Sequence, residues 1–130
     1  MSETIHPQEW PRPSGYANGV LARGRFLAIS GQIGWDERNA LVSGEFIEQA
    51  LQALRNVAAV LRAARGGPEH LVRLTWYVVD KNEYRAALRE LGRGYREIFG
   101  EHYPAMALVQ VVDLLEEGAR VEIEATAILP

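Results

Sequence analysis

The sequence predicts an α+β domain in which one β-sheet is covered by two helices on a single face. Three observations predict it. Apolar spacing changes along the chain from short extended runs to intervals of three and four residues, and back again. A run rich in β-branched and aromatic residues, "HLVRLTWYVVD", separates the two amphipathic stretches. The 130 residues are enough for one domain with a real core and too few for two ordinary ones. Residues 1–130 are therefore read as one unit.

Residues 1–15 hold Pro7, Pro11 and Pro13 and read as an extended arm on the surface. "GVLARGRFLAIS" supplies two apolar runs around Gly24, a β-hairpin candidate. The second run ends in "SGQIG", where Gly31 and Gly34 predict a bend or a close backbone approach. "WDERNALVSG" is a loop with a small hairpin around Asn39. From Glu45 to Arg65, Phe46, Ala50, Leu51, Leu54, Val57, Ala58 and Leu61 form one face of a helix. Gly66-Gly67-Pro68 closes it, and Ser43 or Gly44 is its expected N-cap. "HLVRLTWYVVD" is a central strand. Tyr84, Leu88, Leu91, Tyr95 and Ile98 or Phe99 trace the second helix, ending at Gly100. "AMALVQVVDL" is a strand, "LEEGAR" a turn, and "VEIEATAIL" the last strand. The order is β-β-α-β-α-β-β.

Two helices cover one face of such a sheet and leave the other open. Val, Leu, Trp and Met side chains are expected on that open face, too apolar for water, so it needs burial against copies of itself. The net charge of −3 provides no basic field for a nucleic-acid backbone. The absence of cysteine excludes disulfides, thiolate nucleophiles and zinc-thiolate sites, and fits a reducing cytoplasm. "MSETIHPQEWPRPSG" has no apolar core of a signal peptide, and no run approaches the roughly 20 apolar residues that span a bilayer. His6, His70 and His102 lie at no metal-ligand spacing, so no metal site is expected.

Five segments taken together, "GYANGV", "FLAISGQIGWD", "QALQALRNVAAVLRAARGGPEHLVRLTWYVVD", "YREIFGEHYPAM" and "VEIEATA", resemble the RidA family (YjgF/YER057c/UK114) in order and spacing over residues 14–128. The resemblance implies a chorismate-mutase-like fold and a homotrimer whose sheets enclose a central barrel-like core. Ligand clefts would lie between adjacent subunits. Well-studied members hydrolyse reactive enamines and imines, such as 2-aminoacrylate, to a keto acid and ammonia. No metal or organic cofactor is implied.

The resemblance also assigns site residues. Glu122 matches the glutamate that positions or activates the attacking water. By alternation alone, Glu122 and Glu124 simply share a solvated strand face opposite Val121, Ile123 and Ala125. The Ser30-Gly31 bend matches the segment whose glycine amide meets the ligand. Tyr16 matches a tyrosine that closes the cleft, or serves only as an anchor for the arm. The backbone of Leu108 matches a ligand-bonding position. Independently of the resemblance, Trp35 and Trp76 are candidate apolar lining, although a mid-strand tryptophan such as Trp76 is more often core.

Two positions depart from the family pattern. The family's Pro-Ala-Arg, whose arginine clamps the substrate carboxylate, is here Pro104-Ala105-Met106. Losing such a desolvated contact costs roughly 2–5 kcal/mol. The asparagine three residues before the helical tyrosine is here Gly92, before Tyr95. Arg73 and Arg120 are expected on strands, paired across a subunit boundary or standing in for the missing clamp. The expected function is hydrolysis of an enamine or imine other than the usual small imino acids. The alternatives are a non-catalytic small-molecule-binding trimer and, less favoured, an endoribonuclease of L-PSP type.

Overall fold

Strict alternation in Val121–Leu129 makes this segment the spine of the sheet. Val121, Ile123, Ala125, Ala127 and Leu129 are buried, while Glu122, Glu124, Thr126 and Ile128 face away. A computed structural model describes residues 2–130 and shows the segment as β6, paired on both sides. The other strands are β1 (Ser2–Ile5), β2 (Gly19–Ala22), β3 (Arg25–Gln32), β4 (Leu71–Val78) and β5 (Ala105–Gln110). The main sheet has the order β3-β6-β4-β5, with β5 parallel to β4 and the other pairs antiparallel. The helices are α1 (Phe46–Ala63), α2 (Lys81–Ala86) and α3 (Leu88–Phe99). Among the described residues, no helix is long and apolar enough to cross a membrane.

The core lies between the sheet and α1. Leu54, Val57 and Leu61 are buried against Leu71, Leu74, Val121 and Ile123. Ala50 and Ala53, with no exposed surface, let the helix sit close to the strands. Fully burying each of the larger side chains is worth about 1.5–3 kcal/mol. The helix begins after Glu45, whose extended backbone (φ −86°, ψ 134°) marks the N-cap. Ser43, one of the two expected caps, instead accepts the Glu45 N–H on its hydroxyl, 2.8 Å away, and so shapes the approach. The helix stops at Gly66-Gly67-Pro68 as expected, with a short 3-10 turn at Pro68–His70.

Among the described residues, Gln49 is the one buried polar side chain of the core. Its Nε2 donates to the carbonyls of Ser43 and Gly118, each at 2.9 Å, and its Oε1 accepts from the Arg120 N–H at 2.8 Å. One side chain thereby ties two loops to α1. Gln49→Leu keeps the volume but removes all three ties to part-buried backbone groups, so it is expected to destabilise the fold by about 2 kcal/mol. A lowered urea midpoint at unchanged slope checks this.

Five expectations are corrected. The hairpin around Gly24 does not form: β2 pairs with β1, and β3 pairs with β6. Gly24 has φ +151°, and a Cβ there would overlap the Leu129 carbonyl. The position is where the chain crosses from the small sheet to the large one against the end of β6. The arm accordingly opens with a strand, β1. The second amphipathic stretch is two helices, broken at Ala87. It starts earlier than expected because Asp80 caps it, accepting the Asn82 N–H. β5 stops at Gln110, leaving Val112 and Leu115 fully exposed. Finally, Trp76, Met106 and Leu108 lie on the helix side of the sheet, in register with one another through Leu74↔Met106 and Trp76↔Leu108. The open face instead carries Phe26, Tyr77, Glu122, Glu124, Ile128 and Val109, apolar at its margins and acidic at its centre.

Candidate functional site

Two constellations stand on opposite sides of the main sheet. The first is on the open face. The register of β3 against β6 shifts between Ile29 and Gln32, a bulge that contains Ser30 and Gly31. The Glu122 side chain occupies the space above Gly31, where a Cβ would collide with its carboxylate. Glycine is therefore required for the bulge and the carboxylate to coexist. Among the described residues, Glu122 makes no side-chain hydrogen bond or ion pair, so its oxygens are available to a water or a reacting group. Next to it, Tyr77 is the cross-strand partner of Glu122 and donates its hydroxyl to the Glu124 carboxylate. That bond, with burial and the charges of Glu124 and Glu122, raises the Tyr77 pKa above its ordinary value. The tyrosine thus stays a donor and holds Glu124 aside. Gln32 Nε2 donates to the Ser30 carbonyl at 3.2 Å and its hydroxyl at 3.3 Å, bracing the bulge.

The second constellation is a cleft of about 880 Å³ between α3, the β4–β5 edge and residues 13–16. Met106 and Trp76 form its wall on the sheet, Gly92 and Tyr95 its wall on the helix, and Tyr16 its rim. Tyr95 stacks on Tyr103 (centroids 5.3 Å apart, 14° between planes) and donates its hydroxyl to the His102 carbonyl at 2.6 Å. Burial pushes the Tyr95 and Tyr84 hydroxyls upward in pKa, so both remain neutral. Tyr84 meets Trp76 edge to face, 5.6 Å between centroids. The Trp76 Nε1–H is buried and has no acceptor among the described residues.

The residues singled out from sequence divide between these places. Glu122, Gly31 and Ser30 belong to the open face, and Met106 and Tyr16 to the cleft. Leu108 packs its side chain against the core, and its backbone lies on the sheet-edge strand β5. Trp35 joins neither: it bridges to Leu41, and its carbonyl accepts from Asn56 Nδ2 at 2.9 Å. Arg120 precedes β6, and its Nε donates to Glu83 within the same chain at 2.7 Å. Arg73 is on the open face, in register with Thr126. Neither arginine lines the cleft. The cleft's arginine is Arg96, which the sequence reading missed, although it follows Gly92 by one helical turn. His102 is a structural tie, with Nε2 3.0 Å from the Leu71 carbonyl.

A bulged sheet with a carboxylate over a glycine, helices on the other face and an aromatic cleft at the edge strand define an α+β scaffold with two candidate sites. The sequence profile described as endoribonuclease L-PSP matches residues 9–129. A RutC family protein of Pyrococcus horikoshii is 35% identical over 98% of both chains. The human 2-iminobutanoate/2-iminopropanoate deaminase is 40% identical over 87% of this chain and 79% of its own. A solved Rid family protein of unknown function from Yersinia pestis superposes with TM-score 0.83 at 32% identity, covering 98% of each chain. This chain belongs to the RidA (YjgF/YER057c/UK114) family, which includes 2-iminobutanoate/2-iminopropanoate deaminases.

Proposed function

We propose that this chain hydrolyses a reactive enamine or imine other than the usual small 2-imino acids, in a site shared between the subunits of a homotrimer. The observation that carries the reading is the Glu122 carboxylate seated over Gly31 at the β3 bulge. In the reaction, water adds its oxygen to the carbon of the C=N bond and passes a proton to Glu122. The carboxylic acid returns that proton to the nitrogen. In the resulting carbinolamine Glu122 takes the hydroxyl proton and delivers it to the nitrogen as the C–N bond breaks, so ammonia leaves and a carbonyl compound remains. One water is consumed and Glu122 is regenerated. The Gly31 backbone and Ser30 would hold the reacting end of the ligand.

A neighbouring copy is part of this reading. Glu122 and Met106 project from opposite sides of the sheet, so one chain cannot place both against one small ligand. Packing the open faces together would bury Phe26 and Val109 and bring the edge-strand cleft of one copy to the bulge of the next. Met106 favours a second reading, a non-catalytic trimer that kept the cleft and lost turnover. The relatives' ribonuclease label finds little support in a chain of net charge −3.

The test generates imines in situ from a panel of amino acids, small to aromatic, with an amino-acid oxidase. Keto-acid release is then followed with and without the protein. Acceleration for at least one larger imine is expected. Binding of panel members without acceleration of any would establish the non-catalytic reading instead. In solution the protein is expected at three times its chain mass, and a monomer would rule out the shared site.

A further inference from the structure

The cleft around Met106 has lost one cation and holds another. Among its lining residues, Arg96 alone carries a charge; the rest are apolar, aromatic or small. Arg96 follows Gly92 by four residues on α3, and helical side chains lean toward the preceding turn. The nearest contact of a Cβ added at Gly92 would be Arg96 Nη1, at 3.3 Å. The guanidinium therefore lies back over the bare helix surface that Gly92 provides, along the cleft wall. Its ion-pair partner among the described residues is Glu101, with Nε and Oε2 4.0 Å apart and side chains 49% and 77% exposed. Such a pair is weak and readily exchanged for a better acceptor. A bidentate ligand carboxylate is one.

We propose that Arg96, made accessible by Gly92, is the anion anchor of this cleft and selects carboxylates carrying an aromatic body. Arg96 stands half exposed at the mouth, whereas Met106 and Trp76 form the inner wall. The anion is thus held at the mouth, and the flat body lies inside against Met106, Trp76 and Tyr95. Gly92 and Met106 then form one adaptation, in which the inner anchor was given up and an outer one was opened. The inference rests on the reading above only in taking this cleft as the ligand site.

Calorimetric titration tests it without turnover, using 3-phenylpropanoate, its uncharged amide and propanoate as probes. The intact protein is expected to bind 3-phenylpropanoate about tenfold more tightly than the amide, as a charge-assisted contact at a partly exposed site allows. It should bind propanoate more weakly than either. Arg96→Gln is expected to erase the preference for acid over amide, Arg96→Lys to keep part of it, and Glu101→Gln to strengthen it. Equal binding of acid and amide, a preference that survives Arg96→Gln, or no binding of any probe overturns the anchor. Propanoate bound as tightly as 3-phenylpropanoate overturns the aromatic requirement. Because these are equilibrium measurements, loss of hydrolysis with the acid preference intact would fault the catalytic reading and leave the anchor standing.

Discussion

Glu122→Gln is expected to lower kcat on any productive imine by about 10²–10⁴-fold, with ligand affinity and solution mass nearly unchanged. Glutamine matches glutamate in size and still fits over Gly31, so the bulge is kept. It cannot take a proton from water, nor return one to nitrogen. The effect should therefore fall on turnover rather than KM, the signature of a contact used only on the way to the transition state. Glu124→Gln makes a useful comparison. Glu124 is exposed and already engaged by Tyr77, so its loss should cost far less. Equal losses from the two substitutions would mean that the acidic centre of the face acts through its overall charge, and Glu122 would lose its specific role. Full activity in Glu122→Gln would remove it from the mechanism.

What could be read from sequence follows the range of the interactions involved. The alternation of β6 was legible because its two faces meet different environments, a core on one side and an open face on the other. The end of α1 was legible because Gly66-Gly67-Pro68 breaks a helix by local sterics. The β2–β3 hairpin was misread because two short apolar runs around a glycine do not say which strands they join. The deciding contact at Gly24 is with Leu129, at the far end of the chain. Met106 was correctly placed on a strand, but its side of the sheet depends on the register Leu74↔Met106, which no local pattern encodes. Gly31 and Glu122 meet across the sheet, so only resemblance linked them beforehand. Arg96 carries no local signal that separates it from Arg89 and Arg93 on the same helix. Its place in the cleft appears only when Gly92 and the sheet edge are seen together.

Met106→Arg is expected to raise kcat/KM for small 2-imino acids by roughly 30-fold to several thousand-fold, the span of a desolvated charge-assisted clamp. The residue lies on the inner wall of a cleft of about 880 Å³, so an arginine has room without displacing the core. The change to stability should stay small, since the guanidinium can reach solvent through the cleft. A carboxylate next to the C=N carbon would then be held deep in the cleft rather than at the mouth. Arg96 would repel the introduced charge and also compete for the anion. The gain should accordingly be larger in the Met106→Arg, Arg96→Gln double variant than in Met106→Arg alone, a coupling that a double-mutant cycle reads directly. Activity on aromatic imines should fall in the same double variant. A folded Met106→Arg protein with no gain on small imino acids would mean that position 106 does not face the reacting carboxylate. The cleft and the Glu122 bulge would then belong to separate sites. A gain that appears together with the opposing coupling would mean that one cleft holds both anchors, and that moving the cation from β5 to α3 is how this chain departs from its deaminase relatives.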